Sequence, residues 1–156
     1  MSDPLLLQAT IRDAVRSAPS AGAAMERAVT LLAASCPHFT WTGIYLLEGD
    51  ELVLGPFVGT PSPHVRIPLG RGICGAAAAQ KAAIIVDDVN ADPRYLACSL
   101  ETKSEIVVPI MLGDRVLGEI DVDSDRLAAF GRLDQALLEG VAEALAGRLA
   151  APAPVS

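Results

Sequence analysis

The chain has 156 residues and a formal net charge of −7, a length that bounds one domain with a continuous core of its own. Its residues are 51 % apolar, 20 % charged and only 4 % aromatic, so the core is expected to be aliphatic. The acidic balance, with twelve scattered Lys and Arg, excludes a phosphate-backbone binder, and apolar runs broken well short of about 20 residues exclude a membrane span.

The first helix is predicted over Pro4 to Ser17, with Leu5, Leu6, Ile11, Ala14 and Val15 as its apolar stripe and Ser2 or Asp3 as its cap. A second helix follows from about Ala23 to Cys36, where Pro37 ends it. From Trp41 the period shortens. Trp41 to Leu47 reads as a strand, Glu48 to Glu51 as a turn and Leu52 to Phe57 as the partner strand. His64 to Pro68 is a short strand, Gly70 to Gly72 a tight turn, Ile73 to Gln80 an Ala-rich helix and Ala83 to Val86 another strand. Asp87 to Ser99 reads as a polar loop or irregular helix. Ser104 to Met111 then forms a hairpin with Val116 to Val122, and an amphipathic helix from Phe130 closes the chain. Hairpin strands framed by terminal helices define an α+β class: a central, mainly antiparallel sheet with helices packed on it. One domain is expected over residues 1–150, with 151–156 a frayed tail.

Asp3 and Pro4 stand where a signal peptide would carry Lys or Arg, so a cytoplasmic protein is expected. Three cysteines, Cys36, Cys74 and Cys98, are an odd number, which argues against a secreted disulfide framework. No C-x-x-C occurs and only His38 and His64 are available to join the thiols, so no metal site is expected. Cys74, in Gly70-Arg71-Gly72-Ile73-Cys74-Gly75, and Cys98, just before Ser99-Leu100-Glu101-Thr102-Lys103-Ser104-Glu105, each stand where a loop meets an element. Thiols so placed suit redox chemistry. Cys36, at a helix end with no polar pattern around it, reads as a packing residue. Asp121 and Asp123 lie two apart on one strand and share a face, and Glu105 lies on the strand paired across the turn.

Taken in order, Trp41-x-Gly43-x-Tyr45, Leu52 to Phe57, Gly70 to Gly75, Ala97-Cys98, Thr102 to Pro109 and Leu117 to Ser124 resemble the GAF-domain free methionine-(R)-sulfoxide reductases. The resemblance covers roughly Trp41 to Asp134. It implies that Cys98 is the nucleophile and Cys74 the resolving thiol. Glu105, Asp121 and Asp123 would line the substrate pocket, with Trp41 and Tyr45 in its wall. The activity implied is reduction of free methionine sulfoxide through a sulfenic acid and a Cys74–Cys98 disulfide, recycled by thioredoxin without a bound cofactor. Many members carry a further cysteine ten positions before the resolving one, where this chain has His64. A relay through a third thiol is therefore not available here, and His64 itself reads as an exposed loop residue.

The residue types suit that chemistry. Sulfoxide reduction needs a thiolate to attack sulfur while the oxygen is protonated, and clustered, partly buried carboxyls raise one another's pKa enough to hold such a proton. Remaining negative charge would take the ammonium of a free amino acid. Lys103 or Arg71 is a candidate to depress a thiol pKa. Two bland readings compete: a half-buried strand shows the alternation Ile120-Asp121-Val122-Asp123 with its acids in solvent, and Trp41 and Tyr45 are commonly core aromatics. The rival class is a non-catalytic GAF module that binds a small ligand or senses redox state. The Ala-rich closing helix also suits self-association as a homodimer.

Overall fold

The computed structural model describes residues 3–96 and 101–150. Cys98 lies outside the described residues. Helix α1 (Pro4–Ser17) opens on Asp3, whose carboxylate accepts from the Leu5 amide at 2.9 Å, with Pro4 in the first turn. Helix α2 (Ala21–Ser35) begins two residues before the predicted start, because the Ser20 hydroxyl accepts from the Ala23 amide at 3.1 Å and caps it. Cys36 is its C-terminal cap and packs in the core.

Six strands follow: β1 (Trp41–Glu48), β2 (Glu51–Val58), β3 (Arg66–Pro68), β4 (Ile84–Val86), β5 (Ser104–Leu112) and β6 (Arg115–Ser124). Helix α3 (Gly72–Gln80) joins β3 to β4, and α4 (Arg132–Ala150) closes the chain. The sheet order is β3-β2-β1-β6-β5-β4, antiparallel throughout. His64 stands outside β3, which starts at Arg66. The polar loop after β4 contains one 3-10 turn, Val89–Ala91, capped by the Asp88 carboxylate.

Both faces of this sheet are covered. Ile44, Ile106, Val108, Ile110, Ile120 and Val122 point to one side and form the main core with α1, α2 and α4. There the terminal helices are tied together: Gln8 donates to the Ala136 carbonyl at 2.9 Å, Arg12 to that of Gly140, and Arg148 to that of Val15 at 2.7 Å. The alternate positions face α3 and form a second, smaller core of Trp41, Tyr45, Leu52, Ile67, Val107 and the buried face of α3. No helix among the described residues is long and apolar enough to cross a membrane.

Candidate active site

The strand register builds the site. On β6 Glu119, Asp121 and Asp123 share the face turned toward α3. Across β1 they stand opposite Tyr45, Gly43 and Trp41, and across β5 opposite Pro109, Val107 and Glu105. The acids that a solvated strand would expose are here under cover. Exposure is 0 % for Glu119, 2 % for Asp121, 4 % for Asp123 and Glu105, and 5 % for Cys74. The alternation was that of a half-exposed strand, but α3 and the flanking loops lie over the second face.

Cys74 is in the first turn of α3, where the turn Gly70 to Gly72 meets the helix. Its position depends on three glycines before and beside it. Gly70 and Gly72 have φ of 82° and 68°, and a Cβ on Gly75 would come within 2.7 Å of the Pro68 carbonyl oxygen. This tight entry lowers the helix onto the sheet, so that Cys74 Sγ lies 4.0 Å from Glu105 Oε2. Ligating or proton-sharing atoms of Cys74, Glu105 and Asp121 all fall within 4.8 Å of one another.

Trp41 forms the other wall. Its ring lies over Gly43, where a Cβ would meet the indole at 2.3 Å, and against Gly59, where a Cβ would meet it at 2.7 Å. It stacks on Phe57 with centroids 5.7 Å apart, and its Nε1 donates to the Thr60 carbonyl at 2.9 Å. The Tyr45 hydroxyl donates to the His64 carbonyl at 2.9 Å. His64 is therefore half-buried and borders the cavity at Cys74, Glu105 and Asp121, contrary to its reading as an exposed loop residue. That cavity is small, about 10 Å³; a second, about 40 Å³, opens beside Trp41, Thr60 and Asp123.

The electrostatics are one-sided. Burial raises the Cys74 thiol pKa well above its ordinary value, and the charges of Asp121, Glu119 and Glu105 add to it. Burial likewise raises Asp121, with hydrogen bonding to Glu105 and Cys74 as a partial offset, and raises Asp123, with the charge of Asp121 adding. A hydrogen bond between two carboxyl groups requires a proton on one of them, and the raised Asp121 and Asp123 are the groups pushed toward holding it. Arg71 and Lys103 are both exposed. The charges acting on Cys74 are those of acids and keep it a thiol, so the expectation of a depressed pKa does not hold for it.

The residues named from the sequence, Cys74, Glu105, Asp121, Asp123, Trp41 and Tyr45, are brought by the fold to the α3 side of the sheet. Sequence reasoning missed Glu119, which sits one alternation step before Asp121. Glu119-Ile120-Asp121-Val122-Asp123 puts three acids in strict alternation, of which only two were read as a pocket, and alternation alone does not show that their face is covered. Metal ligation was weighed only with His38 and His64 as partners of the thiols. The fold instead puts carboxyls beside Cys74, while His38 bonds Asp134 at 2.7 Å on the far side of the sheet.

A six-stranded antiparallel sheet with helices at both termini on one face and a short helix over an acidic pocket on the other defines a GAF domain, and residues 7–149 match that family. Within it, the chain belongs to the free methionine-R-sulfoxide reductases. It is 37 % identical to the free methionine-R-sulfoxide reductase of Escherichia coli over 80 % of this chain and 73 % of that one. The structure of the Neisseria meningitidis free methionine-R-sulfoxide reductase in complex with its substrate superposes with a TM-score of 0.89 at 36 % identity, covering 96 % of this chain and 92 % of that one. The substrate complex of the Staphylococcus aureus enzyme gives 0.87 at 33 % identity, with 96 % and 97 % covered.

Proposed function

We propose that this chain reduces free methionine-(R)-sulfoxide to methionine, with Cys98 as nucleophile and Cys74 as resolving thiol. The observation that carries the reading is the meeting of Cys74 with Glu105 and Asp121 inside 4.8 Å, on a face walled by Trp41 and Tyr45. Buried carboxyls that share protons supply the acid the reaction needs. The Cys98 thiolate attacks the sulfoxide sulfur and forms an S–S bond as a carboxyl proton reaches the oxygen. The hydroxyl then passes from the substrate sulfur to the Cys98 sulfur as that S–S bond and the substrate S–O bond break, leaving methionine, the oxygen-free product, and a sulfenic acid on Cys98. The Cys74 thiol then condenses with that sulfenic acid, forming the S–S bond and releasing water. An external dithiol of the thioredoxin type reduces the disulfide, and no bound cofactor takes part.

Recognition of a free amino acid follows from the same charges. A carboxylate left ionised in the set pairs with the substrate ammonium, which a peptide-bound methionine sulfoxide lacks, and the Trp41 ring packs on the methylthioethyl chain. A reducing cytoplasm is the compartment that suits this cycle. The test is NADPH oxidation coupled through thioredoxin and thioredoxin reductase, comparing the free (R) sulfoxide, the free (S) sulfoxide and a peptide-bound sulfoxide. Turnover confined to the free (R) form and lost in Cys98→Ser is expected. Folded protein that turns over none of the three overturns the reading.

A further inference from the structure

The pocket beneath α3 holds a donor set that sulfoxide reduction does not by itself require. Cys74 on α3, Glu105 on β5 and Asp121 on β6 each bring one ligating atom, a sulfur and two carboxyl oxygens, and these lie within 4.8 Å of one another. Cys74 Sγ and Glu105 Oε2 are 4.0 Å apart. In a tetrahedral zinc site, bonds of about 2.3 Å to sulfur and about 2.0 Å to oxygen put neighbouring ligand atoms about 3.3–3.5 Å apart. Side-chain rotations of Glu105 and Asp121 suffice to close the set to that size.

Two independent observations point to an occupant. Asp121 is 2 % exposed, lines the cavity beside Cys74 and Glu105, and its Oδ1 has no hydrogen-bond partner. A buried carboxyl oxygen left so is costly, and a cation supplies what it lacks. The cavity itself, about 10 Å³, holds about one water-sized body, which is also the scale of a single metal ion. No Lys or Arg is among its described lining residues, and the Tyr45 hydroxyl in its wall is turned to the His64 carbonyl. The charges of Asp121, Glu119 and Glu105 hold the proton on the Cys74 thiol, and a divalent cation reverses that balance.

We propose that Cys74, Glu105 and Asp121 form a binding site for one Zn²⁺ ion, with its fourth position left to water, and that zinc held there inhibits the enzyme. The donors select the metal. Sulfur with two carboxylates suits zinc, whereas Mg²⁺ and Ca²⁺ take six or more oxygen ligands and do not use a thiol. On binding, the Cys74 S–H proton goes to solvent, an S–Zn bond forms and no electron is transferred. A zinc-bound Cys74 sulfur does not condense with a sulfenic acid, so the cycle stops until the ion is removed. This inhibitory half rests on the reading of Cys74 as resolving thiol; the metal site does not.

The metal site is tested in full-length Cys36→Ser/Cys98→Ser protein, where Cys74 is the one thiol left. Titration with Co²⁺ is expected to saturate at one ion per chain, with a sulfur-to-cobalt charge-transfer band that Zn²⁺ abolishes and Mg²⁺ does not. Zinc binding is expected to release at least one proton per ion, read with a pH indicator. In that background Glu105→Gln and Asp121→Asn, each verified as folded by circular dichroism, are expected to weaken zinc about tenfold or more. Absence of the charge-transfer band, or zinc affinity unchanged in both folded variants, overturns the site and leaves adventitious surface binding only. For inhibition, wild type is mixed with free methionine-(R)-sulfoxide in the absence of thioredoxin, and the Cys74–Cys98 disulfide is quantified. Its formation is expected to be halved at the zinc concentration that half-saturates the single-thiol protein, and to return with EDTA. Zinc that binds without slowing the disulfide overturns the inhibitory half. Wild type that forms no disulfide even without zinc overturns the resolving role of Cys74 instead.

Discussion

At Asp121 the cost of burying a carboxyl and the need for a proton at the reacting oxygen fall on one side chain. Asp121→Asn keeps the shape and removes the titration, so turnover in the coupled assay is expected to drop about 10²-fold or more, while thermal unfolding shifts upward because a buried acid is relieved. Cys36 presents the opposite case. It lies in the helix-side core, and burial with the charge of Asp134 pushes its thiol up to about 11. Cys36→Ser is therefore expected to leave turnover unchanged and to cost about 1 kcal/mol of stability, measured by denaturant unfolding. At this scale the motif around Cys74 and the acids of β5 and β6 was legible in the sequence. The missing glutamate was not, because alternation on a strand shows that two faces differ and does not show that both are covered. Only the placement of α3 decides that Glu119 is inside.

The elements themselves were legible wherever periodicity and punctuation agreed: Asp3-Pro4 at the start of α1, the turns at Glu48 to Glu51 and Leu112 to Arg115, and Pro37 after α2. The beginning of α2 was read late because Gly22 obscured the Ser20 cap. The pairing of β1 with β6 was not legible at all. It joins segments far apart in sequence, and its register, Gly43 against Asp121 and Trp41 against Asp123, is what assembles the pocket. That register explains why β1 carries a glycine in mid-strand. Gly43→Ala would drive a methyl into the indole of Trp41, so it is expected to raise the substrate KM as Trp41→Ala does, by about tenfold, with a smaller effect on kcat. Steady-state kinetics of the two variants check this; a Gly43→Ala enzyme with wild-type KM would separate Trp41 from substrate binding.

Across the whole molecule the pocket acids set the pH response. Cysteine aside, Glu119, Asp121 and Asp123 have pKa values raised on folding, so the native state binds more protons than the unfolded chain above their ordinary values. Their contribution is fully present below about pH 4 and is lost as pH rises through the folded pKa values. Chemical denaturation between mildly acidic and alkaline pH should therefore show stability falling with pH, with a shallower fall in Asp121→Asn. The two-sided sheet separates this liability from the main source of stability. Ile120→Ala, on the helix side, is expected to cost about 2–5 kcal/mol with little change in KM.

The seating of Trp41 has a further practical consequence. It is the only tryptophan of the chain, and it sits between two glycines at the mouth of the pocket, stacked on Phe57 and opposite Asp123. The tryptophan emission of the protein, selectively excited near the red edge of its absorption, thus originates at this one side chain beside the acids. Titration with methionine or its sulfoxide should change the emission directly, without label or coupling enzyme, and the same signal should follow the protonation of the acids beside the ring.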